Sequence, residues 1–150
     1  MTDTLYLTCP SCQAKNRIPA AKLGAKPTCG ACKAALFPDS PFELDEARLN
    51  RHLKTDEVPL LVDFWAPWCG PCRAMAPSFA AACREVAPAV RFAKLDTEQH
   101  QALGSRFQIR GIPLIILFDK GREVARQAGA MNTGQITAWV RQHIKPLAGS

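Results

Sequence analysis

The chain has 150 residues, of which 47% are hydrophobic and 21% charged, with a formal net charge of +6. That length suits one ordinary soluble domain with or without a small appendage. The longest apolar stretches, around Leu60–Phe64 and Ile112–Phe118, are too short to span a bilayer, so no membrane association is expected. Residues 1–38 carry Lys15, Arg17, Lys22, Lys26 and Lys33 against Asp3 alone. Four thiolates holding one divalent metal in that segment would offset much of this excess, so charge alone does not point to nucleic acid.

In chain order, residues 1–38 are short of large apolar groups, with Leu5, Tyr6, Leu7, Ile18, Leu23, Leu36 and Phe37 as candidates. So small a segment needs a staple to offset chain entropy. Two prolines and turn residues at 36–41 suit a linker. The expected division is therefore a module at 1–38 and a domain at 39–150. Within the second, Asp45 caps a helix through about Lys54, with Leu49 and Leu53 facing inward. Leu60–Trp65 reads as a buried strand. A helix follows from about Cys69 to Ala87, with Phe79, Cys83 and Val86 in a stripe and a kink expected at Pro77. Arg91–Leu95 is a second strand. A helix from Glu98 to Phe107 is capped by Asp96 or Thr97. Pro113–Phe118 and Glu123–Gln127 form a hairpin across Lys120-Gly121, and Asn132 caps a last helix to about Ile144. From the first helix onward the order is α-β-α-β-α-β-β-α, an α/β architecture with a mixed central sheet covered by helices on both faces.

Seven cysteines carry the chemistry. Six fall into three Cys-x-x-Cys pairs, Cys9/Cys12, Cys29/Cys32 and Cys69/Cys72, and Cys83 is left over. The start MTDTLYLTCP has no positive segment followed by an apolar run, so a cytoplasmic location is expected. In a reducing compartment such pairs bind metal or exchange electrons. Cys9/Cys12 and Cys29/Cys32 are separated by sixteen residues. Four soft thiolates in two tight pairs suit one tetrahedral zinc ion, which would also supply the folding energy that the thin core lacks. Iron satisfies the same sulfur set, and two disulfides are a further alternative.

Cys69 and Cys72 differ from the other pairs in context. Trp68-Cys69-Gly70-Pro71-Cys72 lies where a strand ends and a helix begins. Unpaired N–H groups at a helix start favour a thiolate, so Cys69 is the expected nucleophile and Cys72, one turn on, the resolving thiol. Cys83 reads as a buried inert thiol, and His52, His100 and His143 as solvated side chains at polar helix positions.

The string LVDFWAPWCGPC at 61–72 resembles the signature of the thioredoxin family, and the likeness runs over about residues 42–147. An easily ionised cysteine and a reducing couple are general properties of that family. The resemblance implies a protein-disulfide reductase with a redox disulfide Cys69–Cys72. It implies that Asp63 is a buried proton acceptor for Cys72 and that Lys94 tunes it. Ile112-Pro113 matches the family's cis-proline loop. Substrate contacts would come from Trp68, Gly70, Pro71, Ile112, Pro113, Gly129 and Ala130, with Gly111 beside them and Trp65 packing inside. Leu114 stands where most relatives carry threonine, which bears on substrate preference. The zinc module ahead of this domain resembles the second, zinc-binding type of bacterial thioredoxin. That kinship implies a monomer recharged by thioredoxin reductase with NADPH, acting on disulfide-containing proteins and taking part in oxidative-stress defence. A disulfide oxidant on the same fold and a passive zinc-ribbon adaptor are the rival readings. Gly70-Pro71 between the cysteines argues against the first, and the intact pair against the second.

Overall fold

The computed structural model describes residues 3–144; the ends of both assigned segments lie outside the described residues. Two sheets are present. The smaller is a hairpin of β1 (Thr4–Thr8) and β2 (Lys15–Pro19), with Thr8 opposite Lys15 at the mouth of the first cysteine pair. A 3₁₀ turn at Ala20–Ala25 leads to the second pair, which is framed by a bridge between Thr28 and Ala35. Leu7, Cys9, Leu23, Cys29 and Leu36 form a small core, completed by Val58 from beyond the stretch read as a linker. Leu36, at the start of that stretch, is itself fully buried.

The larger sheet has five strands in the order β3-β5-β4-β6-β7: β3 (Phe42–Glu43), β4 (Leu60–Trp65), β5 (Arg91–Asp96), β6 (Leu114–Asp119) and β7 (Arg122–Ala128). The first three run parallel, and β6 and β7 pair antiparallel. Period-two alternation sends alternate side chains to opposite faces. Leu61, Phe92, Ile115 and Leu117 meet α2 (Gly70–Val86) and α4 (Thr133–His143) on one face. Leu60, Val62, Phe64, Ala93, Leu95, Ile116 and Phe118 meet Leu49 of α1 (Glu46–Thr55) and Leu103 of α3 (Gln101–Arg106) on the other. Because both faces are covered, β4 is an unbroken apolar run except at Asp63. No described helix is long and apolar enough to cross a membrane.

The caps follow local chemistry. The side chain of Asp45 accepts the N–H of Arg48 at 2.7 Å, and Asn132 and Gln135 form a reciprocal capping box on α4. Lys120 and Gly121 both have positive φ, the backbone of a type I′ hairpin turn, and a side chain at Gly121 would collide with the carbonyl of Leu53. Helix α2 runs through Pro77. One strand is added to the expected order, and two expectations are corrected. A two-residue strand, β3, precedes α1, paired to β5. Helix α3 begins at Gln101 rather than Glu98, because the carboxylate of Asp96 takes the N–H groups of Glu98 and Gln99 and holds a turn there. His52 is not solvated: it is 1% exposed, stacks on Phe42 and hydrogen-bonds Asp56 at 2.7 Å.

Candidate active site and metal centre

Strand β4 delivers the chain to the helix that carries the redox pair. Cys69 is the N-cap of α2, and its Sγ accepts the N–H of Cys72 at 3.2 Å. Gly70 and Pro71 fill the first helical positions, where the missing N–H of proline costs no hydrogen bond. A disulfide joins Cys69 and Cys72, with Cα atoms 5.2 Å apart. The geometry thus places Cys69 sulfur against the positive end of a seventeen-residue helix, which favours its thiolate once the bond is opened. Cys69 and Cys72 form a small cluster with Ala66, Trp65 and Ile112. The Sγ of Cys69 lies 3.8 Å from the carbonyl of Ile112, and the Ile112–Pro113 bond is cis. Gly129, at φ 98°, donates its N–H to the carbonyl of Pro113 at 2.9 Å. A positive φ of this kind suits glycine.

Around the disulfide the surface is open. Trp68 is 67% exposed, and its Nε1–H donates to Glu98 at 3.0 Å. Gly70, Pro71, Gly111, Gly129 and Ala130 are also exposed, whereas Pro113 and Leu114 are buried. A polar groove of about 640 Å³, lined in part by Glu43, Arg48, Asp96 and His100, shares Trp65 and Pro67 with this rim but neither cysteine. The disulfide thus lies beneath an exposed rim, with Cys69 itself 4% exposed.

Asp63 lies beneath. It shares the face of β4 with Leu61, toward α2, and is 1% exposed. Neither carboxylate oxygen has a hydrogen-bond partner among the described residues. Burial pushes its carboxyl up to about 7, against a partial pull from Lys94. Lys94 is its register partner on β5, with the ammonium 4.3 Å from the ring centre of Trp65. A carboxyl poised near neutral pH can take and return a proton. Cys83 is buried, contacts the carbonyl of Pro38 at 3.7 Å, and is pushed up to about 11 by burial. That is an inert thiol at neutral pH.

The other four cysteines come together. Their sulfurs all lie within 4.8 Å of one another, with Cys9–Cys32 and Cys12–Cys29 at 3.6 Å. A tetrahedron with zinc–sulfur bonds of about 2.3 Å has edges of about 3.8 Å, so the spacing fits. The two loops repeat one another. Cys9 and Cys29 each donate a backbone N–H five residues on, to Ala14 and Ala34, and Gln13 and Lys33 both sit at φ 69°. Backbone N–H groups of Ser11 and Cys12 point at Cys9 Sγ, and those of Ala31 and the amide of Asn16 at Cys29 Sγ. Donors converging on sulfur stabilise thiolates. The backbone of Cys32, then Asn16, pull Cys29 down to about 6. Cys12 moves the other way, up to about 12: the donor at Ala14 favours its thiolate, but burial and the three neighbouring sulfurs outweigh it. A shared dication removes that mutual repulsion, so the donor set is suited to a metal.

A helix-capping disulfide on this five-stranded α/β fold defines a thiol–disulfide oxidoreductase. Residues 40–142 match the family described as Thioredoxin, and residues 8–34 match the zinc ribbon described as Thioredoxin 2, N-terminal. Thioredoxin C-3 of Corynebacterium nephridii is 42% identical over 146 residues, covering 97% of this chain and 100% of that protein. The thioredoxin of Haemophilus influenzae is 36% identical, covering 69% of this chain and 96% of that protein. Among solved structures, a point mutant of the thioredoxin from Halobacterium salinarum superposes with a TM-score of 0.65 at 27% identity, over 73% of this chain and 96% of that one. The chain belongs to the thioredoxin family.

Sequence reasoning did not single out Asn16, Glu98 or the buried trio His52, Asp56 and Arg91. For the trio a signal existed: a charged residue opening a strand, and a His and an Asp four apart at the end of a helix.

Proposed function

We propose that this thioredoxin reduces disulfides in other proteins, with Cys69 as attacking and Cys72 as resolving thiol. In the reduced chain the Cys69 thiolate attacks one sulfur of a substrate disulfide. A Cys69–substrate bond forms, the substrate S–S bond breaks, and the other substrate sulfur leaves with the electron pair and takes a proton. Cys72 then passes its proton to Asp63, which Lys94 tunes, and attacks Sγ of Cys69. The Cys69–Cys72 disulfide forms and the second substrate sulfur is released. Two electrons have moved to the substrate, and thioredoxin reductase returns them from NADPH. In this reading the exposed Trp68, Gly70 and Pro71, the backbone of Ile112 beside Pro113, and Gly129 with Ala130 seat an extended substrate segment.

Cys9, Cys12, Cys29 and Cys32 would hold one zinc ion, which supplies folding energy to the 1–38 module; no exchange step passes through it. The domain at 39–150 carries the exchange chemistry. The reading places the protein in the cytoplasm as a monomer serving oxidative-stress defence.

The position of Cys69 as N-cap of α2, its sulfur on the N–H of Cys72, carries the catalytic reading. Insulin reduction with thioredoxin reductase and NADPH tests it. Wild type should turn over and Cys69→Ser should not; full activity in Cys69→Ser would favour an adaptor role. Metal analysis tests the ion, since a red four-sulfur centre would mean iron. Survival under peroxide of cells lacking the protein tests the stress role.

A further inference from the structure

Three buried polar side chains take no part in disulfide exchange. Arg91 opens β5, Asp56 caps the C-terminus of α1, and His52 lies one turn before it. They are 2%, 5% and 1% exposed. All three belong to the exchange domain, yet what they grip is the ribbon. Arg91 Nη1 donates to the carbonyl of Thr8 at 2.8 Å and to that of Leu36 at 3.1 Å. Its Nη2 donates to Asp56 Oδ2, which also accepts from His52 Nδ1. Asp56 Oδ1 accepts the N–H of Thr8 at 2.7 Å. One residue on, Glu57 donates its N–H to the carbonyl of Tyr6 at 2.9 Å and takes the N–H of Tyr6 on its side chain at 3.0 Å.

The places gripped are informative. Thr8 immediately precedes the ligand-bearing Cys9, and both its backbone groups are held. Leu36 follows Cys32 by four residues. The network therefore pins the chain entering the first knuckle and the chain leaving the second. Burying a guanidinium and a carboxylate is costly unless most donors and acceptors are matched; here Arg91 Nε and His52 Nε2 lack a partner among the described residues, and the other side-chain nitrogens and oxygens of the three are bonded. Burial pulls the Arg91 guanidinium below its usual range, and Asp56 offsets that only in part. Burial alone would raise the Asp56 carboxyl, but the hydrogen bond from His52 and the charge of Arg91 hold it below its usual range. Lifting the ribbon away breaks the Arg91 bonds to Thr8 and Leu36 and the Asp56 bond to Thr8 together, so these contacts are lost as a set.

We propose that the Arg91–Asp56–His52 cluster is a latch that joins the metal knuckles and the exchange domain into one cooperative unit, with Arg91 as a positioning residue for the metal site. The proposal rests on the zinc reading above for its metal arm only.

The test uses the full chain, zinc-loaded, as wild type, Arg91→Met, Arg91→Lys and Asp56→Asn, with the exposed Arg122→Met as control. Zinc transfer to a chromogenic chelator and protease nicking within residues 36–41 are followed together. Arg91→Met and Asp56→Asn should release zinc about tenfold faster or more and be nicked faster, with Arg91→Lys between them and wild type and the control unchanged. If Arg91→Met does not fold, the two milder variants carry the same comparison. Release and nicking at wild-type rates in folded variants would overturn the latch. Should wild type hold no zinc by metal analysis, the zinc reading fails and the nicking arm still decides the latch, with equal rates again overturning it.

Discussion

Asp63 and Lys94 stand opposite one another on neighbouring parallel strands, yet the lysine's ammonium lies over the ring of Trp65 and the carboxylate oxygens accept no hydrogen bond among the described residues. The carboxyl therefore bears the cost of burial with little direct relief, which is why it sits near 7. That value has a consequence for stability. The folded chain binds this proton more tightly than the unfolded chain, so the contribution is full below about pH 4 and is lost as pH rises to about 7. Replacing Asp63 by Asn removes the loss. Asp63→Asn should be more stable than wild type by on the order of 4 kcal/mol at pH 8, three units at 1.36 kcal/mol each, and close to wild type near pH 4. Urea unfolding of both oxidised proteins at the two pH values measures this. An equal difference at both would show that the carboxyl is not held protonated by burial.

The two cysteines of the pair should fail in different ways. In the disulfide both are nearly covered, Cys69 4% and Cys72 2% exposed, but Cys69 stands at the cap with the exposed Trp68 before it and Cys72 lies inside the first turn. Without Cys72 the first attack proceeds and the adduct has no resolving thiol. Cys72→Ser should accumulate a mixed disulfide with a disulfide substrate, seen as a mass increase that a reductant reverses. Cys69→Ser should form no such adduct. Equal adduct yields from both variants would reverse the assigned roles.

Much of the fold and of both cysteine sites is legible in the amino-acid order. Strands β4 and β6 announce themselves by apolar runs, β7 by the turn at Lys120-Gly121, and the caps at Asp45 and Asn132 by residue type and spacing. The three cysteine pairs separate by context alone, one at a strand–helix junction and two in a core-poor segment. What stays hidden is tertiary. Strand β3 is two residues long and exists because Phe42 and Glu43 lie along β5. His52 occupies a polar position on its helix, and Phe42, Asp56 and Arg91 pack around it. The partners of Arg91 at Thr8 and Leu36 are 83 and 55 residues away, beyond the reach of any local pattern.

Asn16 should matter to the metal site although it is not a ligand. It is buried in β2, its amide N–H points at Cys29 Sγ at 3.4 Å, and its carbonyl takes the N–H of Gly30 at 2.9 Å. One side chain thus stabilises a thiolate and fixes the turn that presents it. Asn16→Leu keeps the volume and removes both bonds. Zinc affinity should fall about 10- to 100-fold, as for outer-sphere partners generally, measured by competition with a chelator. An unchanged affinity would assign Asn16 to packing alone.

A plain stability test concerns α4, which covers the face of the sheet above Ile115 and Leu117. Its first turn is satisfied by Asn132 and Gln135, each taking the other's backbone N–H, at 2.8 and 2.9 Å. Asn132→Ala strands the N–H of Gln135 and should cost about 1 kcal/mol. That corresponds to a fall of about 3 °C in melting temperature, with the zinc site unaffected.

The cysteines should also react in a fixed order, since thiolate character and access are set by different structural features at each. In the reduced, metal-loaded chain near pH 7, Cys69 has the helix start to hold its charge. Cys83 has no helix start beside it, and burial raises it to about 11. The four ribbon thiolates would be ionised yet occupied by the metal. Iodoacetamide should therefore label Cys69 first, leave Cys83 almost unlabelled, and reach the ribbon cysteines only after a chelator is added, as followed by peptide mass spectrometry. Labelling of Cys83 as fast as Cys69 would mean that the helix start confers no advantage, and the assignment of Cys69 as nucleophile would fall with it.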